Sequence, residues 1–539
     1  MPLRPLAAAA LLAAAGPVLA EEAGAVQARA LLHTRVTAQQ GEPRLEPRFD
    51  ASTLAFQVGD YFTPAPAERH GSLFLAADLS GRTGPWRWAL GFDSGELRRT
   101  PSPPFASICL SRPAQPTGLA LADGGACAGA LLGREVVVQV PSAGRDTTRL
   151  TAGGRAPREE LRQTLFVREA WVGITTGRND FAFLRAGRHR FSVADGLVYD
   201  DYGLGLEARL DLGALGPSWE VHGAAFLPTR DWPDAGTARS PLLFLRLDRM
   251  LSLFDHVGAF AAYFHDDAGE VASLFRGSAV EVSSLRLQGL TPAPSTVQPG
   301  GVVPSAYQQE ARTLAAALGG PVDGTADLVW GGLSAGLSFG RGHRVSAAAA
   351  VVAGTVRFTV PLAFEASVLG WAASAAYEVR VHRDLLLGAR FLFLSGDAPP
   401  EEKVRFSLPH RYGGFVGVAP WITATNLFFK GGLSETFAAR QASAPGVNGR
   451  GVLGPVLRAL WEPAESFQAE LRGAWLEAPV TGPFGGRVYG PEVDVNLRWS
   501  PLAWLSLSLE ADQLWSGSFY GPDRAPVRKL ILGVDLTAP

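Results

Sequence analysis

A short segment near the C-terminus, LSLSLEADQL (505–514), constrains the fold of this chain more than any other feature. Leucine and alanine alternate in it with serine, glutamate and aspartate, so a strand built from it has one apolar face and one polar face. Its length is close to the roughly 9–11 residues that a tilted strand needs to cross a bilayer. Trp504 and Trp515 flank it, and aromatic side chains are common where such strands meet the membrane–water interface. The segment therefore predicts a membrane-spanning β-strand.

The same two-residue period recurs along the chain, with connections of two kinds. The clearest further segments are 206–212, 243–248, 467–475, 492–499 and 529–536. Short connections such as 340–342 and 500–502 alternate with longer polar loops such as 396–411 and 477–490. In outer-membrane barrels the short turns face the periplasm and the long loops face outward. We therefore expect an all-β protein, a transmembrane antiparallel up-and-down β-barrel of about 18 strands, within a range of roughly 16–22 and even in number.

The N-terminus predicts export. Residues 1–20 combine Arg4, an apolar stretch too short to span a bilayer and a Val18-Leu19-Ala20 cleavage site, which is the pattern of a signal peptide. Because the strand pattern is legible from about Ser52, we expect a short periplasmic segment at 21–51 and a barrel at 52–539, with no plug domain. The predicted location is the outer membrane of a Gram-negative bacterium, with lipid as the surrounding partner.

Charge and cysteine content narrow the function. The formal net charge of −2 gives no overall field that favours nucleic acid. The only cysteines, Cys109 and Cys127, lie in a Pro/Gly/Ala-rich stretch, and an exported chain favours a disulfide between them, although two free thiols are the alternative. Their spacing gives no reason to propose a metal site, and no cofactor is implied.

Two stretches resemble the alginate export family of outer-membrane barrels. The first, 162–211, contains Arg168-Glu169-Ala170-Trp171, then Ala186-Gly187-Arg188 and Asp200-Asp201; the second is GARFLFLSGD at 388–397. The resemblance implies a monomeric barrel with a charged lumen that passes a polysaccharide or another solute, and it allows for periplasmic secretion partners. The chain departs from the family pattern in two respects, the charge of the predicted lumen and the last residue. The predicted wet faces mix four arginines with six acids, which does not argue for a polyanion, and the chain lacks a terminal aromatic residue.

Charged residues on the predicted wet faces are the candidates for contact with solute. A guanidinium can hydrogen-bond carboxylates or sugar hydroxyls in a fixed geometry. The same arginines could instead pair with acids on neighbouring strands and stiffen the barrel wall, so both roles stay open. The candidates for the lumen and the solute path are Arg188, Arg190, Glu207, Arg209, Arg246 and Arg390.

Two loop motifs suggest other chemistry. Asp195, Asp200 and Asp201 form an acidic loop cluster that could bind sugar or calcium, or could simply be solvated. His265-Asp266-Asp267 (265–267) lies at the outer end of a predicted strand, where a rim-site enzyme is conceivable. No HExxH motif occurs, and we do not predict an enzyme.

The sequence thus predicts a passive pore for a hydrophilic solute such as a polysaccharide. The competing interpretations are an outer-membrane enzyme with a rim site and a structural or adhesive barrel with a blocked lumen. The longest predicted loop, about 266–325, contains a potential short helix at 305–318 and either constricts the pore or covers its outer end.

Overall fold

The computed structural model describes the barrel wall and parts of its loops. The described residues are 26–41, 43–45, 48–50, 55–57, 62–64, 67–95, 109–111, 120–121, 136–141, 147–152, 166–176, 182–213, 218–228, 240–252, 255–267, 271, 323–340, 342–360, 364–398, 410–418, 422–429, 431–434, 446, 449–482, 484–522 and 524–538.

Eighteen long antiparallel strands form the wall, each hydrogen-bonded to its neighbours in chain order. They are β1 (Val26–Gln40), β2 (Glu68–Thr83), β3 (Trp86–Gly95), β4 (Phe166–Thr176), β5 (Ala182–Val193), β6 (Tyr199–Asp211), β7 (Trp219–Leu227), β8 (Leu242–Met250), β9 (His256–Asp266), β10 (Asp323–Phe339), β11 (His343–Val360), β12 (Phe364–His382), β13 (Leu385–Leu394), β14 (Val452–Ala464), β15 (Phe467–Glu477), β16 (Val488–Leu502), β17 (Leu505–Leu514) and β18 (Val527–Ala538).

The barrel is closed by its first and last strands. β1 pairs with β18 from Ala30↔Ala538 to Gln40↔Arg528, and on its other edge it pairs with β2. Closure satisfies the backbone hydrogen bonds of every wall strand, which a lipid environment requires because it offers no alternative donors or acceptors. The predicted fold and strand number are confirmed.

Several short elements lie outside this ring. His410–Tyr412 runs parallel to β12 and adds a short strand to the same sheet. Three further short sheets and two 3₁₀ turns complete the described elements: Pro43–Leu45 with Phe62–Pro64, Arg48–Asp50 with Ala55–Gln57, a four-stranded sheet of Cys109–Ser111, Ala120–Leu121, Val136–Pro141 and Thr147–Ala152, and the 3₁₀ turns Gly432–Ser434 and Ser518–Tyr520.

Strand alternation gives the wall an apolar outer belt. Along β18, Leu530, Leu532 and Val534 are exposed while Lys529, Ile531 and Asp535 are buried, so the leucines face outward. Exposed large apolar residues recur at outward positions of the other strands, including Leu206, Leu245, Leu333, Phe391, Leu457 and Leu471. So much exposed apolar surface would be unstable in water, whereas lipid tails solvate it. None of the helical segments in the described residues is long and apolar enough to cross a membrane.

The expected start of the barrel was wrong. A periplasmic segment was predicted at 21–51, yet residues 26–40 form wall strand β1. The pattern supports a strand, because Ala30, Leu32 and Val36 occupy the face opposite His33 and Arg35. The signal peptide (1–20), Cys127 and most of 266–325 lie outside the described residues, and of Cys109 only the backbone is described, so the disulfide stays a prediction.

Candidate functional site: the barrel lumen

The inner face of β15–β18 carries a cluster of buried carboxylates. Glu492 and Asp494 project inward from β16, and Glu510 and Asp512 project inward from the neighbouring β17. These four side chains, called the acidic cluster below, are each no more than 5% exposed. The alternation of both strands predicts their inward direction, but water does not reach them as it would in an open channel. Their negative charge therefore needs donors from the protein itself.

Lys529 on β18 supplies one compensating charge. Its Nζ lies 2.7 Å from Glu510 Oε1 and 3.2 Å from Asp512 Oδ2. The same ammonium donates a hydrogen bond to the carbonyl of Asn426 at 2.8 Å. One lysine thus joins two carboxylates of the wall to a segment that comes from a distant loop.

That segment, residues 422–429 and 431–434, is called the inward segment. It belongs to the long connection between β13 and β14 and runs inside the barrel, against the acidic cluster. The backbone N–H of Asn426 donates to Asp494 Oδ2 at 3.0 Å, and those of Leu427 and Phe428 donate to Glu492 at 2.6 and 3.1 Å. Both carboxylates therefore accept hydrogen bonds from the loop backbone, which fixes the segment in the lumen.

Side chains of the inward segment reinforce this attachment. Thr425 donates its hydroxyl to Glu492 Oε2 at 3.0 Å, and Asn426 Nδ2 donates to Asp512 Oδ1 at 2.8 Å. The backbone N–H of Leu433 donates to Glu510. All four members of the acidic cluster thus contact the segment, so it is held by charge-assisted hydrogen bonds rather than by apolar packing alone.

A second stretch of the same connection packs on an apolar part of the wall, separated from the acidic cluster by β13–β15. The inner faces of β9–β12 carry Leu328, Trp330 and Val352, which are fully buried against loop residues that include Phe415 and Val416. Trp330 Nε1 donates to the carbonyl of Val416 at 2.9 Å, which satisfies the indole inside this apolar cluster. The loop between β5 and β6 joins it through Val418 N and Val198 O, 2.8 Å apart.

The inner wall is more open toward the rim that carries the short turns. Side chains there remain partly exposed although they point inward: Arg209 is 51% exposed, and Arg458 and Glu378 are each about one-third exposed. Arg498, below Asp494 on β16, is exposed as well. The described residues thus form a charged chamber on the turn side and a filled section, built from loops, on the loop side.

Glu207 is buried in the wall beside this chamber, at the centre of a group of charged and histidine side chains. It accepts a hydrogen bond from Arg185 Nε at 2.9 Å and another from Arg209 Nε at 3.2 Å. The Nε2 atoms of His189 and His222 lie 3.0 and 2.9 Å from its carboxylate. This arrangement favours the wall-stiffening role for Glu207 itself, while the exposed guanidinium of Arg209 still faces the chamber.

Arg246 and Arg390 also point inward, as expected from alternation. Arg246 Nε lies 2.6 Å from Asp248 Oδ2 of the same strand. Arg390 instead donates from Nε to the Ser374 hydroxyl at 2.8 Å, and Arg498 likewise donates to Ser506 at 2.9 Å. A hydroxyl does not neutralise a guanidinium, so Arg390 and Arg498 direct positive charge at the lumen, and Asp195 is the carboxylate that acts on Arg390 electrostatically.

Two other lumen candidates are placed differently. Arg190 shares the outward face of β5 with Leu184, and its guanidinium pairs with Asp200 at 2.7 Å on the outside of the barrel. Arg188 has the same strand parity but is buried, and its Nε donates to the carbonyls of Val167 and Arg168 at 3.1 Å. Because β4 shifts register at this point, the arginine braces an irregular backbone. Neither residue lies on the path expected from the sequence.

The acidic loop cluster does not converge on one site. Asp195 is exposed in a tight turn with φ +51°, Asp200 pairs with Arg190 on the outer face, and Asp201 accepts the N–H of Tyr202 at 2.7 Å. Among the described residues, no group of three or more histidine, cysteine or acidic side chains could hold a metal ion.

The side chains of the His265–Asp267 motif also lie in different environments. His265 Nδ1 lies 2.8 Å from Asp327, which accepts a further bond from Tyr263, whereas Asp266 is buried and accepts from Ser240 and from the N–H of Val271. Adjacent residues of a strand point to opposite faces, so His265 and Asp266 cannot act on the same substrate atom.

The inward segment is the main feature that sequence reasoning missed. The loop at 266–325, from which a constriction was considered, lies mostly outside the described residues, whereas the loop described inside the lumen is the connection between β13 and β14. One signal was present: Val416, Val418, Phe428 and Phe429 give this polar connection an apolar content that a solvated loop does not need.

A closed antiparallel barrel with an apolar outer belt and a charged, loop-filled interior is an outer-membrane β-barrel with porin architecture. The protein accordingly resides in the outer membrane of a Gram-negative bacterium.

Comparison with known proteins adds only remote likenesses. No protein-family model matches the chain, and no curated protein matches it, so the alginate export family stays a prediction. The chain is similar in structure to Pseudomonas aeruginosa OccK9 (OpdG), with a TM-score of 0.44 and 12% identity over 95% of this chain and 98% of that one. Acinetobacter baumannii OccAB2 gives 0.42 and 10% over 95% and 98%, and P. aeruginosa OpdK, solved with vanillate, gives 0.41 and 9% over the same shares. Likenesses this remote do not identify a solute.

Proposed function

We propose that the protein is a passive outer-membrane channel for small hydrophilic solutes, with its narrowest section beside the inward segment. The observation that carries the proposal is the hydrogen bonding of this segment to all four residues of the acidic cluster. An 18-stranded barrel of the porin type is wide enough to leave an aqueous channel. A loop fixed against the inner wall narrows that channel. This narrowing acts on a solute whatever its charge.

The size of the segment favours a small solute over a polymer. A polypeptide layer takes up about 10 Å when it packs face to face on a sheet, and here loop layers cover both the acidic cluster and the apolar wall of β9–β12. The remaining cross-section suits molecules of sugar or amino-acid size. Polysaccharide export, the finer interpretation of the family resemblance, requires that this section open widely.

The chamber carries charges of both signs. This lining favours solutes that form hydrogen bonds with both cationic and anionic side chains. Arg458 lies 3.5 Å from Glu378 and also pairs with Glu470, and Arg209 pairs with Glu207. Exposed paired charges can exchange partners with a passing solute, and each contact replaces part of its hydration. Such a lining gives weak selectivity rather than the strong preference of a uniformly basic pore.

Planar-bilayer recording and liposome swelling test the proposal. The refolded protein should conduct, and swelling rates should fall steeply from monosaccharides to tetrasaccharides. A variant that lacks residues 423–433 should conduct more and admit the larger sugars, because the acidic cluster would then line open water. The matched control lacks residues 480–486 of the β15–β16 loop, whose described hydrogen bonds, such as Gly482 N to Gly486 O at 2.8 Å, stay within that loop.

Each result decides between the candidates. A barrel that stays non-conducting, even without residues 423–433, would support the structural or adhesive interpretation and overturn the channel. Free passage of a long polysaccharide through the unaltered protein would overturn the restriction to small solutes and support export.

A further inference from the structure

A groove lies on the outer surface of the barrel, where β1, β2 and β16–β18 approach the loop rim. It has a volume of about 520 Å³, which is within the range of small-molecule sites. It is separate from the lumen, because its lining side chains Arg528, Leu530 and Gln513 occupy the outward positions of their strands. Nothing in the proposed channel function requires it.

Small side chains form its floor. Ala38 on β1 faces Leu530 of β18, which in turn faces Ala511 of β17, so two alanines flank one leucine across three strands. Larger outward residues, Val493 and Trp515, border this depression. The floor continues into the belt of Leu532, Val534 and Leu536, and therefore lies in contact with lipid tails.

Polar residues line the end of the groove nearest the loops. Arg528 faces Gln513 on one side and Gln40 on the other, which gives a row of three long polar side chains across neighbouring strands. Arg69 of β2 lies beside Ala38. From strand spacing, the backbones of the two arginines are about 10 Å apart across the strands, so both guanidinium groups can reach one headgroup.

Both arginines are available for a ligand. Each is exposed, and neither forms an ion pair with a carboxylate among the side chains that the structure describes. Two other outward arginines are paired, Arg190 with Asp200 at 2.7 Å and Arg357 with Glu365 at 3.3 Å. Two guanidinium groups directly above an apolar depression are complementary to a phosphate that carries acyl chains, since the phosphate meets the arginines while the chains lie along the leucines.

We propose that this groove binds the phosphorylated headgroup of an anionic lipid in the outer leaflet. Arg528 and Arg69 bind phosphate oxygens, Gln40 and Gln513 hydrogen-bond the adjoining polar groups, and Trp515 packs at the interface where aromatic side chains are stable. The acyl chains occupy the floor over Ala38 and Ala511. The site is a lipid-binding surface and takes no part in solute passage.

Native mass spectrometry of the purified barrel in neutral detergent, titrated with a diphosphorylated lipid A, tests the proposal. The unaltered protein should retain one lipid molecule. The Arg69→Gln/Arg528→Gln variant should bind it about 30-fold more weakly, and each single variant about fivefold, as expected for two basic residues at an anionic surface. The matched control is Arg190→Gln, which removes an outward arginine at the same rim that is already paired, and its affinity should be unchanged.

Three outcomes would overturn the proposal. The double variant could bind as tightly as the unaltered protein, or dephosphorylated lipid A could bind as well as the phosphorylated form. Inorganic phosphate at millimolar concentration could displace the lipid, which would indicate a site for free anions instead. Heat-modifiable electrophoresis of every variant verifies that the barrel is folded, and unchanged conductance of the double variant keeps this test independent of the channel function.

Discussion

Lys529 joins β17, β18 and the inward segment inside the barrel. It compensates two buried carboxylates, Glu510 and Asp512, and donates to Asn426 O. Replacing it by methionine retains most of its volume but leaves both carboxylates without their cation. Removing one partner of a buried ion pair costs about 3–5 kcal/mol, so we expect Lys529→Met to reduce the free energy of unfolding by that amount in urea titrations in neutral-lipid vesicles.

Its neighbour provides the control for this effect. Arg528→Met removes a charge from the adjacent, outward position at the interface, where the change should be about 1 kcal/mol or less. Adding Glu510→Gln to Lys529→Met should restore part of the stability, because one uncompensated charge is removed with it. Equal losses for Lys529→Met and Arg528→Met would contradict the role assigned to the lysine.

At the scale of single residues, sequence alternation predicts whether a side chain points into or out of the barrel, but not which residue it contacts. It correctly directs Glu207, Arg209, Arg246 and Arg390 inward. It fails for Arg190, because β5 carries arginines on both faces and the sequence does not show which face meets lipid. The partners depend on pairs of residues far apart in the chain, such as Asn426 and Asp494, and alternation contains no information about them.

At the scale of whole elements, β1 determines whether the barrel closes. It pairs with both β18 and β2, so its removal would leave two unpaired strand edges in lipid. We therefore expect a chain lacking residues 21–51 to fail to refold into a heat-modifiable barrel in detergent. If these residues were a periplasmic appendage, the shortened chain would fold normally.

A deletion in the following loop is the matched control. Gln39 faces Glu68 across β1 and β2, so a four-residue loop (40–42 and 67) can join the strands once residues 43–66 are removed. That chain should refold and migrate as a barrel. Its failure would show that the loop, rather than strand pairing, explains the loss. β1 was not predicted as a wall strand because its inward face includes Leu31, which weakens the alternation.

For the whole molecule, the sequence predicts the barrel wall better than the loops that fill the lumen. The number of strands follows from a period of two that recurs wherever one face meets lipid, and lipid imposes that pattern on each strand separately. The filling of the lumen follows from contacts between a loop and the completed wall. Val416 reaches Trp330, and Asn426 reaches the acidic cluster, only after strands distant in sequence have closed into a cylinder.

Ion selectivity is a property of the whole channel, because it depends on the sum of the charges that line the lumen. Arg390 and Arg498 donate to serine hydroxyls instead of carboxylates, so their positive charges act on a passing ion. An ion about 4 Å from one unit charge in water-like surroundings changes in energy by about 1 kcal/mol, and salt reduces this value. The Arg390→Gln/Arg498→Gln variant should therefore shift the cation-to-anion permeability ratio by up to about fivefold toward cations in a potassium chloride gradient, and by less as ionic strength rises. Arg190→Gln, on the outer face, should leave the reversal potential unchanged. A double variant with an unaltered reversal potential would mean that ions do not pass within reach of Arg390 or Arg498, and the conducting path would have to lie elsewhere in the barrel.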